Sequence, residues 1–307
     1  MRKLELAILG AGPAGITAGI YAKRAGIDFA IIEKEPISGL ITNTMDLENY
    51  PGFPEPQTGN ELMEKFKKQL ENLGTTIEMA TVEKIEKDGD GYKVKLDNDE
   101  IHARTIIIST GSRIRPLGIP DEEKYIGRGI SYCATCDGPL YSGKKIAIVG
   151  TGNSGIQEGL FLLKFVGHID YIEMLPNMIA EQILQDRIAK HDNVDFHLSN
   201  KITKIEGDPF VEKVTIENVE TGDEKTLEVD GIFVFIGYLP NTKCFEGTVE
   251  LDKKGYIIAD HDTLGTSAPG IFAAGDVRHK RLRQVATAVG DGANAVFSVQ
   301  HYLENLD

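Results

Sequence analysis

The sequence predicts an α/β protein made of two Rossmann-like dinucleotide-binding domains (three-layer), the second inserted in the first. Two observations predict this fold. An apolar strand leading into a Gly-x-Gly-x-x-Gly turn occurs twice, and an acidic residue follows each turn at the same spacing. The length of 307 residues agrees with two domains, because a domain usually holds roughly 100 to 200 residues.

The first copy begins near the N-terminus, where the apolar residues 6–9 lead into the turn GAGPAG at residues 10–15. In such a turn the first glycine permits the tight bend, the second lets the backbone approach a pyrophosphate, and the third lets the next helix pack against the strand. A short apolar strand is predicted at residues 29–32 and leads to Glu33. An acidic side chain at that point can accept hydrogen bonds from a ribose diol.

The second copy has the same parts in the same order. Apolar residues 146–149 lead into the turn GTGNSG at residues 150–155, and a later apolar strand ends at Glu173, as far from its first glycine as in the first copy. A single glycine-rich turn is weak evidence for a ligand. Two copies with the acid in register predict two dinucleotide-binding sites.

The ends of the two copies indicate where the domains meet. One apolar strand is followed by Gly111 and another by Gly237, and beyond them the sequence predicts a further strand and a helix from about Gln284 to Leu303. Because the second copy is already complete, this tail is expected to complete the first domain. The predicted domains are residues 1–112 with 246–307, and residues 113–245.

The composition excludes several kinds of partner. The chain has 33 Lys and Arg against 47 Asp and Glu, a net charge of −14, so neither a nucleic acid nor an anionic membrane surface is expected to bind it. No apolar run approaches the roughly 20 residues of a membrane helix. Three cysteines do not make a disulfide framework. A cytoplasmic location is therefore predicted.

One segment of this acidic chain is locally basic. Residues 278–283 read RHKRLR. Runs of charge usually form a solvated surface, so we interpret this segment as a solvated loop. The alternative is a patch that binds phosphate or an acidic partner.

Cys133 and Cys136 form a Cys-x-x-Cys pair just before the second copy, and Asp137 follows them. This spacing serves either a reversible dithiol or half of a zinc site. Zinc would need two further ligands, and Cys244 and the scattered histidines offer no second pair, so no metal is predicted. A pair of buried structural cysteines is a second alternative. Beside two dinucleotide sites the redox pair is favoured, because a disulfide takes up two electrons and a nicotinamide–flavin pair delivers two.

Several stretches together resemble the low-molecular-weight, FAD-dependent thioredoxin reductases, class II of the pyridine nucleotide-disulphide oxidoreductases. The resemblance covers essentially the whole chain, and redox cysteines in the second domain are typical of this subfamily. The matching stretches are residues 10–15, Glu48–Phe53, Gly127–Gly129 with Ser131–Gly138, Gly237–Thr242, and Ala274–Val277 followed by Arg283, Gln284, Thr287 and Ala288.

The resemblance implies FAD in the first domain and a nicotinamide dinucleotide in the second. The implied FAD contacts are Gly10, Gly12, Pro13, Ala14, Gly15, Glu33, Asn49, Gly111, Asp276, Arg283, Gln284 and Val285. The implied nicotinamide dinucleotide contacts are Gly150, Gly152, Asn153, Ser154, Gly155 and Glu173.

The resemblance also implies roles for the catalytic residues. Cys136 would face the flavin, Cys133 would attack the disulfide of thioredoxin or a thioredoxin-like protein, and Asp137 would give a proton to the leaving thiolate. Because small enzymes of this family are usually dimers, a homodimer is expected.

The donor site departs from the family pattern. The family normally has a His-Arg-Arg run and a later arginine that hold the 2′-phosphate of NADPH, whereas here the aligned residues are Glu173–Leu175 and Ile179. The carboxylate of Glu173 would repel this phosphate, whereas it can accept hydrogen bonds from both hydroxyls of an NADH ribose. NADH is therefore predicted as the donor over NADPH. The alternatives are ferredoxin or another non-nicotinamide donor, a dithiol oxidase that uses O₂, and a flavoprotein that only binds its partner.

Overall fold

The computed structural model describes residues 2–35, 39–43, 47, 49–55 and 57–306. The chain divides into two compact units. Unit 1 comprises Met1–Arg113 and Leu239–Asp307, and unit 2 comprises Ile114–Tyr238.

The elements are numbered in chain order. The strands are β1 (Arg2–Leu9), β2 (Phe29–Glu33), β3 (Ile77–Met79), β4 (Val82–Asp88), β5 (Gly91–Leu96), β6 (Glu100–Ile108), β7 (Ser112–Ile114), β8 (Ile130–Ser131), β9 (Lys145–Val149), β10 (His168–Ile172), β11 (Val194–His197), β12 (Asn200–Glu206), β13 (Lys213–Asn218), β14 (Glu224–Glu228), β15 (Gly231–Val234), β16 (Tyr238–Pro240) and β17 (Ile271–Ala273). The α-helices are α1 (Pro13–Ala25), α2 (Gly59–Asn72), α3 (Glu122–Tyr125), α4 (Ala134–Asp137), α5 (Asn153–Leu162), α6 (Gln182–Ile188) and α7 (Val285–Glu304). Short 3₁₀ helices lie at Leu40–Asn43, Gly138–Tyr141, Lys243–Phe245 and Gly275–Val277.

The sheet of unit 1 has the strand order β3-β2-β1-β6-β5-β4, with β17 also paired to β6. Strands β1, β2, β3, β6 and β17 pair in parallel, whereas β4 and β5 are antiparallel. The first half of β6 pairs with β5, and its end, Ile106–Ile108, pairs with β17. The C-terminal segment of the chain therefore completes the sheet that the N-terminal segment begins.

Both faces of this sheet are covered by apolar side chains. Helices α1, α2 and α7 enclose one core, in which Ile8 and Leu62 are fully buried. The other core lies on the side of the β4–β5 hairpin and includes Phe245 and Ile257, also fully buried. Because Phe245 belongs to this core and Thr242 Oγ1 donates to the carbonyl of Gly255, residues 239–245 cluster with unit 1 and not with the inserted segment to which the sequence analysis allots them.

Unit 2 repeats the parallel arrangement on a smaller scale. Its five strands have the order β11-β10-β9-β15-β8 and are parallel throughout. Helices α5 and α6 cover one face, and the antiparallel sheet β12-β13-β14 covers the other. Unit 1 thus packs helices against a mainly parallel sheet, and unit 2 has helices, a parallel sheet and an antiparallel sheet in three layers, which confirms the predicted α/β class. No helix in the described ranges is long and apolar enough to cross a membrane.

A buried carboxylate in unit 2 is surrounded by basic groups. Asp170 on β10 has a side chain only 2% exposed, with Lys145 Nζ 2.8 Å from Oδ2 and His197 Nε2 2.8 Å from Oδ1. Burial alone would raise the pKa of Asp170, but the hydrogen bonds from His197 and Lys145 outweigh it and hold this pKa below its ordinary value. The ion cluster thus stabilises the folded unit only while Asp170 is ionised.

Replacing Asp170 by Asn is expected to destabilise the protein at pH 7 by roughly 1–3 kcal/mol, because the charged acceptor of two hydrogen bonds is lost. Since the folded-state pKa of Asp170 lies below its unfolded value of about 4, its contribution is present above that pH and disappears as the pH falls through the folded pKa. Thermal unfolding of the wild type and D170N at several pH values measures this difference. Asp195→Asn, at an exposed partner of His168, is the control and should change little. A wild-type advantage that stays constant into the acid range would contradict the prediction.

Candidate active site

The structure joins Cys133 and Cys136 in a disulfide within unit 2. Cys133 precedes the short helix α4, and the amide of Cys136 donates to Cys133 Sγ at 3.2 Å. On the other side, the amide of Cys133 donates to Ser131 Oγ at 3.1 Å. Cys136 is exposed, Cys133 is partly buried, and Asp137 ends α4 directly after Cys136. The disulfide is therefore held by local backbone hydrogen bonds and is open to a reaction partner.

A buried glutamate, which the sequence analysis does not single out, holds the segment before this disulfide. Glu122 is 6% exposed and accepts the amides of Leu117 and Gly118, both at 2.7 Å. The hydroxyl of Tyr132, the residue before Cys133, also donates to Glu122. Burial, reinforced by this hydrogen bond to a carboxylate, raises the pKa of Tyr132 above its ordinary value. Tyr132 and Glu122 thus tie the start of the redox motif to residues 117–118.

The first glycine turn brings strand, helix and acid together in unit 1. Gly10 has φ +104, and a side-chain carbon on Gly15 would lie 1.8 Å from the carbonyl oxygen of Gly10, so neither position admits another residue without a rearrangement. Glu33 is 8% exposed and accepts the amide of Ala11 at 2.7 Å. Pro13, the residue after Gly12, begins α1. The acid of the motif is thereby fixed beside the turn.

The second turn has the same geometry in unit 2. Gly150 again has φ +104, and a side-chain carbon on Gly155 would lie 2.1 Å from the carbonyl oxygen of Gly150. Glu173 accepts both the amide and the hydroxyl of Thr151 at 2.9 Å, and its other oxygen accepts the amide of Leu175 at 3.1 Å. The structure thus places both predicted acids against their own glycine turns.

Two further predicted residues of unit 2 lie at the start of α5. Asn153 Oδ1 accepts a hydrogen bond from the amide of Glu181 at 2.8 Å, which holds residues 179–181 beside the turn. A side-chain carbon on Gly152 would meet the side chain of Ile179 at 3.9 Å. Ser154 Oγ lies 3.4 Å from the hydroxyl of Tyr238. The second turn is therefore flanked by an apolar side chain.

The remaining predicted FAD contacts lie in unit 1. Asn49 Nδ2 donates to Gln284 Oε1 at 3.1 Å, and Gln284 is the residue before α7, whose first residue is Val285. The guanidinium of Arg283 stacks 3.9 Å from the ring centre of Tyr256. Glu48, the first residue of its matching stretch, lies outside the described residues.

Two more of these predicted contacts follow strands of the same sheet. Asp276 lies in the 3₁₀ turn after β17, and Gly111, with φ +63, follows β6. Since β6 and β17 are parallel neighbours, both residues lie at the same edge of the sheet, past the carboxyl ends of the strands. Ligands of open α/β sheets bind at this edge.

The interpretation of residues 278–283 as a solvated loop is wrong for two of its members. Arg278 and Lys280 are 7% and 9% exposed. Both bind Asp291, with Arg278 Nη2 at 2.9 Å from Oδ1 and Lys280 Nζ at 3.1 Å from Oδ2. The pattern of charges alone does not reveal this pairing, because Asp291 lies within α7 and its burial depends on the packing of that helix.

The surroundings of Glu173 are apolar and partly exposed. Met174, Leu175 and Ile179 are 58%, 46% and 60% exposed. Residues 174–183 contain neither Lys nor Arg. A phosphate group at this position would meet the carboxylate of Glu173 without a positive charge supplied by that segment.

Comparison with known proteins identifies the family. Residues 4–292 match the family model described as pyridine nucleotide-disulphide oxidoreductase. The chain belongs to this family. It is 40% identical over 304 residues to the thioredoxin reductase of Bacillus subtilis, covering 98% of this chain and 95% of that protein.

Solved structures agree with this assignment. The chain resembles thioredoxin reductase of Lactococcus lactis in its FR conformation, with a TM-score of 0.94, 36% identity, and 98% and 99% of the two chains covered. A ferredoxin-flavin thioredoxin reductase from Clostridium acetobutylicum is similar with a TM-score of 0.55, 28% identity and 99% of each chain covered. The resemblance to low-molecular-weight thioredoxin reductases is therefore confirmed over nearly the whole chain.

Membership of this pyridine nucleotide-disulphide oxidoreductase family implies FAD, and two features of unit 1 fit it. Apart from Gly12 and its two chain neighbours, no described residue has an atom within 4 Å of the position that a side-chain carbon on Gly12 would take, so the backbone before α1 is open to a pyrophosphate. Asp276 Oδ1 is buried and has no hydrogen-bond partner among the residues that the structure describes, although Lys280 Nζ lies 3.6 Å away. Such an oxygen can accept a hydrogen bond from a hydroxyl group of a bound cofactor.

Removing the carboxylate of Glu122 is expected to cost far more stability than removing the hydroxyl of Tyr132. Tyr132→Phe loses one hydrogen bond, about 1 kcal/mol, whereas Glu122→Ala also leaves two amides without their acceptor, roughly 2–4 kcal/mol in total. Denaturant unfolding of both variants and of the double variant measures the effects and their coupling. Strictly additive effects would show that the contact between Tyr132 and Glu122 contributes nothing.

Proposed function

We propose that the protein is a thioredoxin reductase. It passes two electrons from a reduced donor, NADH in preference to NADPH, to the disulfide of thioredoxin or a thioredoxin-like protein. The observation that carries the proposal is the Cys133–Cys136 disulfide in a chain that matches proteins named thioredoxin reductase over nearly its whole length. The homodimeric state and the cytoplasmic location stay predictions from the sequence.

The first glycine turn and the residues around α7 are proposed to hold FAD. The open backbone at Gly12 suits the pyrophosphate, Glu33 suits the ribose diol, and Asp276 suits a hydroxyl of the ribityl chain. Asn49 and Gln284, which hydrogen-bond to each other, would line the flavin side of the site. When bound, FAD supplies the two-electron transfer that links a reduced donor to a disulfide.

The disulfide is proposed to cycle between its oxidised and dithiol forms. Two electrons and two protons convert the Cys133–Cys136 disulfide into two thiols. Cys133 gives its proton to the carboxylate of Asp137, and its thiolate attacks one sulfur of the partner's disulfide. The other partner sulfur leaves and takes that proton from Asp137. Cys136 next attacks Sγ of Cys133 and gives up its own proton to the departing second sulfur of the partner, which leaves as a thiol, and the intramolecular disulfide is restored. Both electrons and both protons end on the partner.

The preference for NADH is supported by the contacts of Glu173. Its carboxylate is held by the amide and hydroxyl of Thr151 and by the amide of Leu175. Residues 174–183 bring no Lys or Arg to this position, so the 2′-phosphate of NADPH would face a negative charge without compensation from that segment. The free 2′-hydroxyl of NADH can donate to the same carboxylate.

A non-nicotinamide donor is the second candidate. One observation favours it: Ile179 lies 3.9 Å from the position of a side-chain carbon on Gly152, where the corresponding glycine of the first turn faces open space among the described residues. A similar solved structure is named a ferredoxin-flavin thioredoxin reductase. Ferredoxin is therefore the donor to compare with NADH.

Replacing Cys136 by Ser is expected to lower thioredoxin reduction by a factor of roughly 1,000 or more, because the disulfide can no longer form. The purified variant should still bind FAD and stay yellow. Cys244→Ser, which changes the cysteine outside the redox pair, is the matched control and should keep full activity. Thioredoxin reduction by C136S at the wild-type rate would refute the proposal. Rapid oxygen consumption by the wild type with a small dithiol, with little reduction of thioredoxin, would favour the dithiol oxidase instead.

NADH is expected to exceed NADPH in kcat/KM by about tenfold or more, a difference of ~1.4 kcal/mol. Glu173→Ala should narrow this ratio because the repelling charge is removed, while Glu181→Ala, a nearby exposed acid, should leave it unchanged. Anaerobic bleaching of the flavin by NADH, NADPH and reduced ferredoxin, followed in a stopped-flow instrument, identifies the donor. A higher kcat/KM with NADPH would overturn the argument from Glu173, and bleaching by ferredoxin alone would support the second candidate.

A further inference from the structure

A buried lysine lies between two of the elements that are proposed to hold FAD. The side chain of Lys280 is 6% exposed, and its Nζ lies 3.1 Å from Asp291 Oδ2, 3.2 Å from Thr287 Oγ1 and 3.6 Å from Asp276 Oδ1. A lysine is almost never fully buried unless it is paired. The three contacts therefore indicate a structural task for this ammonium group.

The charge of Lys280 is available to Asp276 because Asp291 already has another cation. Asp291 accepts Nε and Nη2 of Arg278 and the amide of Gly275, each at 2.9 Å. Although burial alone would raise the pKa of Asp291, the bonds from Arg278 and the charge of Lys280 hold it below its ordinary value. Asp291 is thus paired with Arg278 as well as with Lys280, so it does not depend on Lys280 alone.

Asp276 depends more strongly on its neighbours. Burial raises its pKa above the ordinary value, and the nearby charge of Asp291 acts in the same direction, whereas Lys280 and Arg283 act against it. Of the two cations, Lys280 lies within ion-pair distance of Oδ1. Loss of the Lys280 charge would leave the buried carboxylate beside Asp291 with less compensation.

Lys280 also contacts the start of α7 through Thr287. Thr287 Oγ1 accepts the amide of Gln284 at 3.2 Å, and the side chain of Gln284 in turn accepts the amide of Thr287, so the two residues form a reciprocal cap. The hydrogen bond from Lys280 Nζ to the same hydroxyl connects Asp276 with this cap. One side chain thereby links two of the elements that are proposed to hold FAD, the turn of Asp276 and the start of α7.

We propose that Lys280 is a positioning residue of the FAD site: its ammonium group keeps the Asp276 carboxylate ionised and aimed, and fixes the capped start of α7 against it. The inference rests on the proposed role of Asp276 as an FAD contact. Lys280 itself acts through Asp276 and Thr287, and its loss should weaken the binding of FAD before it affects the disulfide chemistry.

The test is a titration of apoprotein with FAD between pH 5 and pH 8.5, followed by the quenching of flavin fluorescence. Lys280→Met removes the charge at nearly constant length, Lys280→Arg keeps it, and Lys253→Met is a control at an exposed lysine. We expect K280M to bind FAD about tenfold more weakly at neutral pH, the size of one lost charge-assisted contact. As the pH is lowered, K280M should also lose its affinity for FAD at a higher pH than the wild type does. The reason is that the pKa of Asp276 rises further when the neighbouring cation is removed. K280R should recover most of the affinity, and K253M should match the wild type.

Asp276→Asn separates the inference from the proposal on which it rests. If D276N binds FAD as tightly as the wild type, Asp276 is not an FAD contact and the proposed site is wrong. If D276N binds weakly but K280M matches the wild type at every pH, only the role of Lys280 is refuted. The double variant D276N/K280M should bind FAD about as weakly as D276N alone; full additivity of the two losses would also refute a role for Lys280 that acts through Asp276.

Discussion

Both units depend on the close approach of a helix to the end of a strand, which only glycine allows. In each glycine turn the first glycine has a positive φ. The third glycine lies so near to the carbonyl oxygen of the first that a side-chain carbon on it would overlap this oxygen, at 1.8 Å in unit 1 and 2.1 Å in unit 2. Because the turn is this tight, the amide of Ala11 or Thr151 points to the acid at the end of the next strand. The position of both acids thus follows from a steric constraint several residues away.

The parts of the fold that local patterns determine could be predicted from the sequence. The two turns, the strands that lead to Glu33 and Glu173, and the last helix all have short-range signals: glycine spacing, apolar runs and helical periodicity. The point at which the chain returns from unit 2 to unit 1 has no such local signal. It lies between Tyr238 and Leu239, because Phe245 is buried in the core of unit 1, and such a long-range contact leaves no local pattern.

The site divides in the same way. The spacing of Cys133 and Cys136 brings them together wherever the chain makes a helical turn between them, as it does here. The support that they receive from Tyr132 and Glu122 requires the chain to turn back on itself. Likewise the basic residues 278–283 look solvated in sequence, since nothing in their spacing shows that Asp291 will enter the same buried volume. Charge pairs inside a protein depend on which helix packs over them. A sequence pattern predicts the helix but not the residues against which it packs.

The pairing of β6 with β17 has a consequence for the order in which the protein matures on the ribosome. Ile106–Ile108 must wait for a strand that is translated more than 160 residues later, whereas unit 2 is one uninterrupted stretch between them. Domains generally fold as units during synthesis, and contacts between distant residues form late. The inserted unit is therefore expected to be finished while the end of β6 in the surrounding unit still lacks its partner strand.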